Sequence, residues 1–127
     1  MNWQWLFTSF EGRINRAKFW IGSLVLWVLW IVVNLVLSTI FGIQYGEGRI
    51  FPAMGPVAWL VWVLIALALT YATLAVWAKR WHDRDKSGWW SLIAFVPIVG
   101  AIWILVELGC LPGTEGPNRF GPDPLAI

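Results

Sequence analysis

The stretch FWIGSLVLWVLWIVVNLVLSTIFGIQYG, Phe19 to Gly46, runs for 28 residues without a single charge. A second uncharged run covers Ile50 to Ala78 (29 residues), and a third covers Ser87 to Val106 (20 residues). About 20 apolar residues in a helix cross a hydrocarbon core of roughly 30 Å, so each run has the length of a span. A water-soluble domain of 127 residues has too little interior to hide three of them. Composition agrees: 59% of the residues are hydrophobic, 13% are charged, and twelve are Trp. Disordered chains are polar and charge-rich, so disorder is excluded. The single Cys110 excludes a disulfide scaffold. The expected fold is one all-α membrane domain with three transmembrane helices, an N-terminal interfacial helix and a Pro/Gly-rich tail.

Outward from the first run, Trp3, Leu6, Phe7 and Phe10 fall at i, i+3, i+4 and i+7. That spacing predicts an amphipathic interfacial helix over 1–10, not a cleavable signal, since no basic segment precedes an apolar core. Gly12 is expected to break it, and Asn15 to cap the next helix. The spans are placed at about 19–43, 57–78 and 89–111. Gln44-Tyr45-Gly46-Glu47-Gly48-Arg49, extended by Pro52, Gly55 and Pro56, joins the first two. Residues 79–88 read as a polar loop, with Asp85 or Ser87 as a cap for the third helix. The third run contains Pro97-Ile98-Val99-Gly100. Proline removes a backbone donor and clashes with the preceding turn, so a kinked spanning helix is expected; the competing reading is a re-entrant hairpin that bends there. The tail, 112–127, is too rich in Pro and Gly for regular structure and is expected to be a turn-rich surface segment, ordered only if it docks onto something.

Short loops rich in Lys and Arg stay cytoplasmic. The segment before the first span carries Arg13, Arg16 and Lys18, and the 79–88 loop carries Lys79, Arg80, Arg84 and Lys86. Arg49 and Arg119 are the only bases elsewhere. With three spans this places the N-terminus in the cytoplasm and the C-terminus in the periplasm. The hairpin reading would instead leave the tail cytoplasmic.

Two polar segments carry a resemblance. They are Phe10-Glu11-Gly12-Arg13-Ile14-Asn15-Arg16-Ala17-Lys18-Phe19-Trp20 and Ala78-Lys79-Arg80-Trp81-His82-Asp83-Arg84-Asp85-Lys86-Ser87-Gly88-Trp89-Trp90. Pro97-Ile98-Val99-Gly100, Pro112-Gly113-Thr114 and Asn118-Arg119-Phe120-Gly121-Pro122-Asp123-Pro124 come after them in order. The chain resembles the YhaH-like family of small bacterial inner-membrane proteins (domain of unknown function 805) along nearly its whole length. Trp81 stands where Leu is more usual. The resemblance implies a multi-pass inner-membrane location and no particular activity.

His82-Asp83 is the one pair suggestive of acid–base chemistry. Neighbours on a helix diverge by about 100°, and no Ser or Cys nucleophile stands beside them, so no catalytic residue is assigned. One His, one Cys and scattered acids give no metal-ligand spacing, and no cofactor is expected. Arg13, Arg16, Arg80, His82, Asp83 and Arg84 form a candidate interfacial polar site, open to anionic lipid headgroups or to another membrane protein. Asn34, Thr70 and Thr73 are the candidate intramembrane polar residues. They suit helix packing, with Ala66, Trp77 and the pair Ala68 and Ala72. Glu107 looks like an intramembrane acid, but counting along a straight helix puts it at the far interface, hydrated; a proton-relay role would need the hairpin geometry. No basic stripe suited to nucleic acid is present. The sequence favours a non-enzymatic component that associates with lipid or protein; an oligomeric small-solute transporter, or a subunit of one, is second.

Overall fold

The computed structural model describes residues 2–43, 46, 48 and 54–125, and these form helices and turns. Most of the connection between the first two runs, including Tyr45, Glu47, Arg49 and Pro52, lies outside the described residues. Four α-helices occur in order: α1 Trp3–Thr8, α2 Arg16–Phe41, α3 Pro56–Asp83 and α4 Val99–Gly109. A 3-10 helix, Gly88–Phe95, precedes α4.

Asn15 caps α2 as expected, its side chain accepting from the Lys18 amide 2.9 Å away. Gly42 ends α2 in the left-handed conformation, where a residue without Cβ carries no steric cost. Pro56 opens α3 at its first turn, where a missing N–H costs nothing. With 26 and 28 residues, α2 and α3 measure about 39 and 42 Å. Their mean hydropathies reach 2.5 and 2.2, yet only 11% and 6% of their most apolar windows are buried. The core helix of a soluble protein would show the reverse; these faces are built to meet hydrocarbon.

The structure departs from the sequence-based expectations in several places. First, α3 does not stop at Ala78: residues 79–83, expected in a loop, form its last turn and are buried. Second, the third apolar run is not one spanning helix. It turns back on itself, so that Lys86 at its start is ion-paired with Glu107 near its end. At the apex the Pro97 carbonyl accepts from the Val99 amide at 2.7 Å, a γ-turn centred on Ile98 with φ 66° and ψ −59°. Gly100 lies so close to the Ile93 carbonyl that a Cβ would overlap it. The bend lies at the Pro97–Gly100 segment, as in the re-entrant reading, and α4 with 11 residues is only about 16 Å long. Third, the tail meets the one condition under which order is expected of it, since it docks on the N-terminal segment: Arg13 donates to the carbonyls of Thr114 and Gly116. Fourth, α1 covers only residues 3–8 and packs on α3, with Leu6 fully buried against Gly22 and Val76.

Candidate functional site

The last turn of α3 is where the chain comes together. An α-helix leaves its final carbonyls unpaired and partly negative, and in a low-dielectric setting each must find a donor. At this turn they do. The Lys79 carbonyl accepts from the Ile14 amide at 3.3 Å, and the Trp81 carbonyl from the Lys86 amide at 2.9 Å. The His82 carbonyl accepts from the Asn118 side chain at 2.9 Å, and the Asp83 carbonyl from the Thr114 amide at 2.7 Å. The N-terminal segment and the tail thus serve as caps for α3.

The side chains of the same turn cap other helices. Lys79, fully buried, donates to the carbonyls of Trp5 (3.2 Å), Leu6 (2.7 Å) and Ser9, closing the C-terminal end of α1. Arg80, also fully buried, donates through Nε to the Leu108 carbonyl at 2.7 Å and through Nη2 to that of Leu111. Trp20 Nε1 donates to the Gly109 carbonyl at 2.9 Å, and Arg16 Nη1 to the Cys110 carbonyl at 2.8 Å. Four successive carbonyls at the end of α4 are therefore held by two arginines and an indole, with cations at the negative end of the helix dipole.

Asp83 is the counter-charge. Its Oδ1 accepts from Arg13 Nε at 3.1 Å, and its Oδ2 from Arg80 Nη1 at 2.6 Å. Both guanidiniums and the carboxylate are buried. Arg13 spends its remaining donors on tail carbonyls: Thr114 at 2.7 Å, Gly116 at 2.8 Å and Gly121 at 3.2 Å. The planar fork of arginine suits such a many-partnered site; an ammonium has fewer directions to offer. Gly113 passes so close to the Asp83 carboxylate that any side chain there would overlap it. Asp123 steadies the tail by accepting from the amides of Leu125 and Gly116, both at 2.9 Å, and these bonds hold its carboxyl below the ordinary aspartate range.

Of the six residues expected in an interfacial polar site, all lie in or beside this cluster, but most face inward. Arg13, Arg80, His82 and Asp83 are buried, Arg84 is partly so and Arg16 is exposed. His82 and Asp83 are not paired with each other. The His82 Nδ1 is 2.9 Å from the Gly12 carbonyl; a carbonyl can only accept, so Nδ1 carries a proton. The ring stacks flat on Phe120, with centroids 4.0 Å apart and planes 4° apart. Among the described residues no three His, Cys, Asp or Glu side chains converge as metal ligands.

Two members of the cluster are not evident from sequence. Lys79 stands there only as a topology signal. A straight-helix count puts Glu107 at a distant interface, whereas it is buried, paired with Lys86 and with Arg84 at 3.7 Å, and bonded to Trp103 Nε1 at 3.0 Å. The signal that could have found it is a lone acid in an apolar run that contains a Pro–Gly bend. The intramembrane residues do not meet one another. Asn34 donates to the Trp30 carbonyl at 2.7 Å and accepts from Trp62 Nε1 at 3.3 Å, which ties α2 to α3. Thr73 bonds back to the Leu69 carbonyl at 2.8 Å, and Thr70 is exposed, away from the helix contact assigned to it.

The family described as a protein of unknown function (DUF805) matches residues 7–122, from α1 to the docked tail. The chain belongs to the DUF805 family. It is 36% identical over 120 residues to inner membrane protein YhaH of Escherichia coli (strain K12), covering 93% of this chain and 88% of that one. It is 33% identical over 118 residues to inner membrane protein YhaI of the same strain, covering 93% and 87%. A third relative there, the uncharacterized protein YiiR, is 32% identical over 145 residues, covering 94% and 88%. No solved structure matches the chain. The DUF805 match takes in every residue of the ion cluster, including the tail carbonyls that Arg13 holds. Two long apolar helices with exposed faces and relatives named for the inner membrane agree with a membrane protein.

Proposed function

We propose that this chain is a non-enzymatic, two-span component of the bacterial inner membrane that acts by associating with lipid or with another membrane protein. Helices α2 and α3 are the spans. The 3-10 helix and α4 form a hairpin that enters one leaflet, since about 16 Å is half of the hydrocarbon thickness. The segment before α2, the α3–hairpin turn and the tail then share the cytoplasmic side. Eight of the nine Lys and Arg fall there, with Arg49 alone opposite.

One observation carries this reading: the polar groups of the α3 end are consumed in capping helices. Asp83 has both oxygens on guanidiniums, and Lys79, Arg80 and Arg13 are spent on backbone carbonyls. A group already committed to structure has no free lone pair or proton for turnover. The outward surface is apolar and aromatic, as at Trp27, Trp89 and Phe95, and it is the part left to meet partners.

The test is a C-terminal fusion to a reporter that fluoresces only in the cytoplasm. Fluorescence supports the two-span arrangement; activity of a periplasmic reporter at the same position overturns it. Growth or envelope phenotypes of a deletion strain that are complemented by His82→Ala support a non-enzymatic role. Solute flux in proteoliposomes that disappears with Asn34→Ala would favour the transporter reading instead.

A further inference from the structure

Beside the ion cluster lies a half-open cleft of about 420 Å³, within the size range of small-molecule sites. Its length runs along one face of α3, with Leu74, Ala78 and His82 spaced four apart, so its ends are about 12 Å apart. Leu92 and Trp89 of the 3-10 helix and Phe10 make the remaining apolar walls. Ala78 and Gly88 keep the floor low: a Cβ on Gly88 would come within 2.9 Å of the Ala78 Cβ.

The polar end is built, not incidental. His82 is only 9% exposed. Its Nδ1 is engaged by Gly12 and its face by Phe120, which fixes Nε2 toward Gly88 and the cleft. Ser91 accepts from Trp81 Nε1 at 3.1 Å, and Ser87 accepts from the Trp89 amide at 3.3 Å. Among the described residues neither hydroxyl donates, so both protons are available to the cleft. Lys79 and Arg119 make the local field positive. Among the described residues nothing at this end suits a phosphate, because Arg13, Arg80 and Lys79 are already spent on carboxylate and carbonyls and Arg119 is ion-paired with Asp85.

The geometry points to a binding site for a free fatty acid, its carboxyl at His82 and its chain along Leu74 and Leu92. A carboxyl group brings one proton and two oxygens. The proton lies between one oxygen and His82 Nε2, and the other oxygen accepts from Ser87 or Ser91. The chain enters sideways from the leaflet, past Leu74. This inference deepens the lipid-association reading above and rests on the hairpin lying in the bilayer.

The full-length protein in phosphatidylcholine nanodiscs, irradiated with a diazirine-bearing palmitic acid and mapped by mass spectrometry, tests it. Adducts are expected on Leu74, Trp89 and Leu92, displaced by excess plain palmitic acid. His82→Phe keeps the stacking and removes both nitrogens. Loss of the hydrogen bond between the carboxyl head and Nε2 weakens binding about tenfold, and labelling should fall accordingly. Leu74→Trp fills the cleft from its partly exposed rim without touching the ion cluster, so it decides the matter if His82→Phe does not fold. Adducts spread evenly over lipid-facing residues such as Leu24, Leu35 and Leu60 would overturn the site. So would equal, site-specific labelling by a diazirine phosphatidylglycerol, or labelling unchanged in both variants. Alkaline carbonate extraction of native membranes separates the two claims. Release of the chain sinks the membrane reading, whereas retention with no cleft adduct sinks only the fatty-acid site.

Discussion

Asp83 ties the N-terminal segment to the end of α3. It is the shared partner of Arg13 and Arg80, and all three are out of water. Removing one member of a buried ion cluster leaves the others uncompensated, at about 3–5 kcal/mol. Asp83→Asn keeps the shape and removes the charge, so a loss of that size is expected in thermal unfolding followed by Trp fluorescence in detergent. The neighbouring glycines give a graded test. Gly113→Ala drives a Cβ into the Asp83 carboxylate and should undock the tail. Gly116→Ala has open space and suffers only from its φ of 71°, about 1–2 kcal/mol. Limited proteolysis of the tail should rank Gly113→Ala well above Gly116→Ala; equal rates would contradict the close approach. The sequence marks Arg13, Arg80 and Asp83 as one polar group because charges beside apolar runs stand out. It does not reveal that they face inward, because their partners are backbone carbonyls, which have no side-chain signature.

At the scale of the elements, short helices here are held by cations from a long one. Six residues of α1 are too few to be helical alone, and Lys79 supplies the donors for its end. Lys79→Met leaves carbonyls unsatisfied at about 1–3 kcal/mol, so α1 should open about tenfold more often. Hydrogen exchange of residues 3–8 checks this, with α2 unchanged. The hairpin apex makes a second case. Ile98 is a β-branched residue at φ 66°, a conformation natural to glycine. Ile98→Gly should leave the melting temperature unchanged or raise it, whereas Gly100→Ala, which meets the Ile93 carbonyl, should lower it. The long helices α2 and α3 are legible in the sequence because uncharged length is a strong signal. The hairpin is not separable there from a kinked span, because Pro97 and Gly100 serve either. Ion pairing of Lys86 with Glu107, which are 21 residues apart, distinguishes them, and periodicity does not encode it. The last turn of α3 reads as a loop because charge density suggests solvent; in the folded chain Arg80 and Asp83 are ion-paired, Lys79 is held by carbonyls, and all three are helical.

At the scale of the whole molecule, the proposed two-span arrangement predicts where its single cysteine lies. Cys110 is free and exposed, at the end of α4 beside Arg16. A membrane-impermeant maleimide should label it in inverted membrane vesicles and not in intact spheroplasts. Labelling in spheroplasts alone would restore a third span and place the tail outside the cell.

Arg13 reaches carbonyls that lie 101 to 108 residues further along the chain. During synthesis that guanidinium emerges about a hundred residues ahead of three of its acceptors. Closure of so long a loop is slow compared with local helix formation. The newborn protein therefore passes through an interval in which its helices are inserted but its clasp is open. A nonsense mutation ahead of residue 114 would remove those acceptors and make the half-fastened form permanent.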